Sequence, residues 1–127
     1  MNQSSRIAYF ELPAPDLPRA VEFYREVFRW AIEASDLEAT PYAMFETPGL
    51  QGGLRSDLAV AERGGVILYL AVPAIPAALE QIARAGGEVV REEHAIGDDY
   101  GYSAEFRDPN GNLLGLWSQA GGQAPPA

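Results

Sequence analysis

Arg107-Asp108-Pro109-Asn110-Gly111-Asn112 is the stretch on which the reading of the fold turns. An alternating run, Tyr100 to Phe106, precedes it, and a short apolar run, Leu113 to Trp117, follows. Asp-Pro opens a turn, because the pyrrolidine ring of Pro109 fixes φ near the value needed by the second turn residue. Asn110-Gly111 is expected to supply positive-φ residues that let two strands pair tightly. The stretch therefore predicts a β-hairpin.

The setting of this hairpin recurs. Phe45-Glu46-Thr47-Pro48-Gly49 occupies the first half of the chain much as Phe106-Arg107-Asp108-Pro109-Asn110-Gly111 occupies the second. Upstream, Ala14-Pro15-Asp16-Leu17-Pro18-Arg19-Ala20-Val21-Glu22 aligns without a gap on Val72-Pro73-Ala74-Ile75-Pro76-Ala77-Ala78-Leu79-Glu80, at a constant offset of 58. In each half an apolar strand enters a Pro-marked loop, then a helix, then further strands. Self-similarity at a fixed spacing predicts two copies of one βαβββ unit. The expected fold is α+β, with module one at about 6–58, module two at about 64–118 and a disordered Gly/Pro/Ala-rich tail at 119–127.

Within each module the periodicity sets the elements. Ile7 to Leu12 reads as a strand ended by Pro13 and Pro15. Asp16 can cap the following helix, whose apolar stripe is Leu17, Ala20, Val21, Tyr24, Val27 and Phe28. Strands are expected at Trp30 to Glu33, Tyr42 to Glu46 and Gln51 to Arg55, the last with a Gly52-Gly53 pair that signals a bulge or a close approach. Val66 to Val72 is nearly continuous in apolar residues and predicts a strand buried on both faces. Ile75 to Ala85 is the second helix, stopped by Gly86-Gly87. Glu88 to Glu92, Gly101 to Phe106 and Leu113 to Ser118 complete the unit.

Composition narrows the function classes. The 127 residues fit one domain holding two half-size modules, and 47% are hydrophobic, as in a folded globule. There is no cysteine, so disulfides, thiolate metal sites and a cysteine nucleophile are excluded. Eighteen acidic against nine basic residues leave a net charge of −9, which repels phosphate backbones and argues against nucleic acid. The same surface favours cationic ligands, although its commonest use is to keep soluble molecules apart. No apolar run approaches the roughly 18 residues of a membrane helix, and no signal pattern opens the chain, so a cytoplasmic protein without membrane attachment is expected.

Ala20-Val21-Glu22-Phe23-Tyr24-Arg25-Glu26-Val27-Phe28-Arg29-Trp30, taken with Asp108-Pro109-Asn110-Gly111-Asn112, resembles the vicinal oxygen chelate superfamily, which contains the glyoxalases, bleomycin-resistance proteins, fosfomycin-resistance enzymes and extradiol dioxygenases. The resemblance covers Ile7 to Ser118. It implies two tandem βαβββ modules whose curved mixed sheets surround a cleft, and a homodimer. In the enzymes of this superfamily a divalent metal sits in the cleft on His, Gln or Glu side chains. Carried over, the ligand positions fall on Tyr9, Ile67 and Gly115, with the fourth between Gln51 and Arg55. Ile67 and Gly115 have no donor atom, and a phenol is mainly a ligand for ferric iron, so the usual metal site is expected to be lost. The one histidine, His94, reads as a surface residue.

Strand alternation then gives a cleft lining. Tyr9 carries Glu11 with it, Ile67 carries Tyr69, and Gly115 carries Leu113 and Trp117, leaving Leu114 and Leu116 to pack on a helix. Comparison with the superfamily sets Glu105 and Ser103 inward, Ala104 and Phe106 outward, and Tyr42 and Met44 as their first-module equivalents. The binding residues so assigned are Tyr9, Glu11, Tyr42, Met44, Ile67, Tyr69, Glu105, Gly115 and Trp117, with no catalytic residue, metal ligand or cofactor. Aromatic walls with two carboxylates suit a small aromatic or cationic molecule. The same residues also admit a structural role: buried aromatics usually form core, Glu11 can accept backbone hydrogen bonds near Pro13, and Glu105 can pair with Arg107 or Arg91. The leading expectation is a small-molecule-binding protein of the glyoxalase and bleomycin-resistance type with a degenerate metal site. The alternative is a lyase, isomerase or dioxygenase of the same superfamily, with Glu11, Glu46 or Glu105 as metal ligands or general base. A partner-binding module using the cleft rim is a third reading.

Overall fold

A computed structural model describes residue 4 and residues 6–37, 40–62 and 65–120; the expected frayed start and disordered tail lie largely outside these. The chain divides into two compact units, Met1–Val60 and Ala61–Ala127. The first holds β1 (Tyr9–Pro13), α1 (Leu17–Phe28), β2 (Ala31–Leu37), β3 (Thr40–Thr47) and β4 (Leu50–Arg55). The second holds β5 (Tyr69–Ala71), α2 (Ile75–Arg84), β6 (Glu88–Ala95), β7 (Tyr102–Arg107) and β8 (Leu113–Ser118). Their sheets run β1-β4-β3-β2 and β5-β8-β7-β6, the same topology twice. In each, the first strand pairs in parallel with the last, and the remaining pairs are antiparallel. The fold is α+β, built of two tandem βαβββ modules. No helix among the described residues is long and apolar enough to cross a membrane.

Helix α1 begins where Asp16 Oδ1 accepts from the Arg19 backbone N–H at 3.2 Å, with Pro18 in the first turn. It ends at Arg29, in the left-handed region at φ 59°, where the Trp30 N–H reaches the Tyr24 carbonyl at 3.3 Å. Leu17, Ala20, Phe23, Tyr24 and Val27 are its buried residues. Phe23 thus joins the predicted stripe, while Val21 and Phe28 are only partly covered. Trp30 stacks between Tyr24, at 4.6 Å between centroids, and Phe45, at 4.3 Å, and this column ties helix to sheet. In the second unit Ile75, Ala78, Leu79 and Ile82 of α2 are buried, as are Ala104, Phe106, Leu114 and Leu116 of the sheet. α2 has no side-chain cap at Ala74; its C-terminus closes through Gly87 N–H to the Ile82 carbonyl at 2.8 Å, with Gly86 at φ 97°.

Two expectations need correction, and at the Gly52-Gly53 pair the second of two alternatives holds. Val66 to Val72 is not a strand buried on both faces. Only Tyr69–Ala71 is β-structure, Val66 is largely exposed, and the strand's burial alternates, because only one face of the sheet is covered. The Gly52-Gly53 pair makes no bulge: β4 keeps an unbroken register with β1 and β3, and the glycines serve close approach instead. In the deciding hairpin only Gly111 has positive φ, 98°; Asn110 does not. The Gly111 N–H returns to the Asp108 carbonyl at 2.8 Å, so Pro109 and Asn110 form the corner of a four-residue turn. Asp108 organises it, its Oδ1 accepting from the N–H groups of Asn110 and Asn112 and its Oδ2 from Asn112 Nδ2, each at 2.9 Å.

Candidate functional site

Each sheet turns one face to its helix, and the register shows which residues share the other. In the first sheet Ala31 lies opposite Glu46, Glu33 opposite Met44, Glu46 opposite Gln51, Met44 opposite Gly53, and Tyr42 opposite Arg55. Tyr9 lies beside Gln51 and Glu11 beside Gly53. Residues directly opposite point the same way, so Tyr9, Glu11, Tyr42 and Met44 share a face, as alternation and the resemblance together predict. The other face (Leu12, Ile32, Ala43, Phe45 and Leu54) is buried core.

A chain of hydrogen bonds crosses the first face. Tyr42 Oη donates to Glu11 Oε2 at 2.8 Å, and Tyr9 Oη lies 2.8 Å from Tyr42 Oη. Arg55 Nη1 donates to Glu11 Oε1 at 2.9 Å, while its Nε and Nη2 reach Asp57 at 2.9 and 3.3 Å. Burial, then the contacts to Tyr9 and Glu11, push the Tyr42 phenol well above its ordinary value. The bonds to Asp57 and then Glu11 hold the Arg55 guanidinium in its charged form, and Arg55 in turn holds the exposed Asp57 carboxyl below its ordinary range. Glu11 therefore accepts from side chains rather than from backbone near Pro13, and it shares the Arg55 charge with Asp57.

Tyr42 reaches Glu11 by laying its ring over Gly53. A Cβ at Gly53 would fall inside the Tyr42 phenol, and one at Gly52 inside the Phe45 ring. The second sheet repeats this device. Tyr69 lies beside Gly115, and a Cβ there would fall inside the Tyr69 ring. The two rings differ in freedom: Tyr42 is 6% exposed and Tyr69 53%. With Glu11 beside Gly53 and Tyr69 beside Gly115, the offset of 58 that relates Glu11 to Tyr69 makes Gly53 the counterpart of Gly115. The position left open between Gln51 and Arg55 is thus Gly53.

On the second face Tyr69, Gly115, Glu105 and Arg91 form one row, and Ala71, Trp117, Ser103 and His94 the next. Ser103 and Glu105 share this face, with Ala104 and Phe106 buried on the other, in line with the alternation. Trp117 Nε1 donates to the Tyr100 carbonyl at 2.8 Å, and Arg107 donates to the Gly111 and Glu62 carbonyls at 2.8 and 3.2 Å. Ile67 stands before β5, outside the strand and partly buried. His94 is not a bare surface residue. It lies on β6 with Nε2 3.1 Å from Ser103 Oγ and Nδ1 3.2 Å from the Glu92 carbonyl. That carbonyl can only accept, so Nδ1 is the donor in this contact, while the Ser103 hydroxyl can serve Nε2 as donor or acceptor.

A cavity of about 290 Å³ opens on the first unit, lined by Tyr9, Ala31, Ile32, Glu33, Met44, Phe45, Glu46 and Gln51. Gln51 Nε2 donates to Glu46 Oε1 at 3.2 Å on its wall. Sequence reasoning assigned Tyr9 and Met44 here but missed Glu33, Gln51 and the Arg55 partner of Glu11. Glu33 could have been found from the Ala31-Glu33 alternation; Arg55 depends on a pairing between residues 44 apart.

The family model of the glyoxalase/bleomycin resistance protein/dioxygenase superfamily matches residues 6–116. The chain belongs to this superfamily. A glyoxylase-like domain-containing protein of Didymella fabae is 25% identical over 122 residues, covering 91% of this chain and 95% of that protein. The genomically encoded fosfomycin resistance protein FosX of Listeria monocytogenes superposes with a TM-score of 0.78 at 19% identity, over 93% of this chain and 94% of that one. A glyoxalase-related enzyme of Fulvimarina pelagi superposes with a TM-score of 0.69 at 22% identity, over 91% and 88%. A variant of the Listeria protein was crystallised with Mn(II) and 1S,2S-dihydroxypropylphosphonic acid.

The positions at which the resemblance places the superfamily's divalent-metal ligands do not offer a fitting donor set. Tyr9, Ile67 and Gly115, with Gly53 as the counterpart of Gly115, together supply one phenol. At both glycines the space a ligand side chain would need is filled by a tyrosine ring. Among the described residues no three His, Asp or Glu side chains converge to replace them.

Proposed function

We propose that this superfamily member binds a small organic molecule without a metal, using the aromatic and acidic face of its first sheet. The observation that carries the reading is Tyr42 lying over Gly53 and hydrogen-bonded to Tyr9 and Glu11. It fills a ligand-equivalent position with an aromatic surface that burial and hydrogen bonds hold in place. Its partner Tyr9 lines a cavity with the features of a small-molecule site: the apolar side chain of Met44 and carboxylates at Glu33 and Glu46. Glu11 is tied to Tyr42 and Arg55 and is absent from the cavity lining, so the carboxylates that act on a bound cation there are Glu33 and Glu46, and the role of Glu11 is to hold Tyr42 in position.

The test is thermal denaturation with ligand linkage. Mn(II), Ni(II), Zn(II) and Fe(II) should leave Tm unchanged, whereas an aromatic amine at saturating concentration should raise it, since a ligand at about 100 times its Kd stabilises by about 2.7 kcal/mol. A metal-dependent rise in Tm, abolished by a chelator, would overturn the reading.

A further inference from the structure

We infer that the first-sheet cavity takes a hydrogen-bond-donating organic cation, a primary ammonium or guanidinium, in preference to a quaternary one. This deepens the proposed binding function and rests on it. The argument begins with one proton. A tyrosine hydroxyl has a single hydrogen, and that of Tyr42 goes to the Glu11 carboxylate, which can only accept. The 2.8 Å contact between the two phenols must therefore be donated by Tyr9. Its hydrogen spent on Tyr42, the Tyr9 hydroxyl has only oxygen lone pairs to offer a ligand.

The rest of the polar lining agrees in sense. Glu33 and Glu46 are carboxylates, and Gln51 has turned its amide nitrogen to Glu46, leaving its carbonyl oxygen and one N–H. Acceptors on four side chains thus face a single remaining side-chain donor. A ligand that supplies no N–H or O–H takes water from these acceptors and returns no hydrogen bond, which offsets part of the charge attraction. A quaternary ammonium is bound well by a cage of aromatic faces, and the half-exposed Tyr9 gives only a partial one. Met44, 46% exposed on the same wall, suits the apolar part of the ligand, and the volume of about 290 Å³ limits it to roughly one ring with a short arm.

The chain has two methionines, Met1 and Met44, so a methyl-labelled sample carries a reporter inside the cavity and one outside the described part of the chain. Titration with phenethylammonium and with its N-trimethylated analogue should move the Met44 signal in both cases. The primary amine should bind about tenfold more tightly, as expected for hydrogen bonds to charged groups. Tyr9→Phe should weaken the primary amine by about threefold or more and leave the trimethylated one within about twofold, while Glu33→Gln weakens both. Equal affinity of the two cations, or an unchanged primary-amine affinity in Tyr9→Phe, would overturn the donor selectivity while sparing the binding function. Met44 signals that move with neither cation would overturn both.

Discussion

Tyr42 is the side chain through which most of the candidate site is connected. Its phenol is held above the ordinary value of 10.0, so the folded state keeps this proton more tightly than the unfolded one. The stability this contributes is complete below pH 10.0 and declines as the pH rises through that value toward the higher folded one. In a titration at 295 nm part of the tyrosinate signal should lag and appear only with unfolding, and Tyr42→Phe should shrink that lagging fraction. The glycine beneath the ring gives a second prediction. Gly53→Ala should cost about 2–3 kcal/mol in chemical denaturation, because Tyr42 is buried and tied at its hydroxyl, while Gly115→Ala should cost under about 1 kcal/mol, because the exposed Tyr69 ring can swing aside. Alternation joined Glu11 to Tyr9, and the superfamily resemblance added Tyr42 and Met44 to their face. It could not reveal that Glu11 spends its charge on Arg55, since that bond follows from the parallel pairing of β1 with β4, which no local pattern encodes.

At the scale of elements, β7, the deciding turn and β8 form the most legible part of the chain. Leu113–Ser118 is the strand the sequence predicts, and the error at Asn110 concerned only where the positive φ falls. Asp108 was read as a turn opener; its larger role is to gather three donors on a carboxylate that is 4% exposed. Asp108→Ala should therefore destabilise the protein by about 2–4 kcal/mol, and Asp108→Asn, which keeps one acceptor, by clearly less; equilibrium urea unfolding would separate them. Strand β5 was the least legible element. An apolar run predicts burial, but the sheet has one covered face and Tyr69 and Ala71 lie on the other, and nothing in Val66 to Val72 distinguishes a strand covered on one face from one covered on both.

For the whole molecule, the repeat at an offset of 58 was the decisive sequence signal, and both units have the topology it predicts. The net charge of −9 belongs to this scale as well. Self-repulsion should make Tm rise as NaCl is raised from low to physiological concentration, where screening acts over about 8 Å, and differential scanning calorimetry would detect it. The doubled arrangement of a tyrosine over a glycine also bears on what this lineage can become. A glutamate arriving at Gly115 or Gly53 would meet a ring already in its place, so gaining a ligand and keeping the protein folded are competing demands on one substitution. At Gly115 the exposed ring can give way, and the position stays open to a new side chain. At Gly53 the ring must be removed first, and removing it undoes the hydrogen bonds around Glu11. The two halves of an inherited duplication have thus become unequal in reversibility: one works as a ratchet, the other as a hinge.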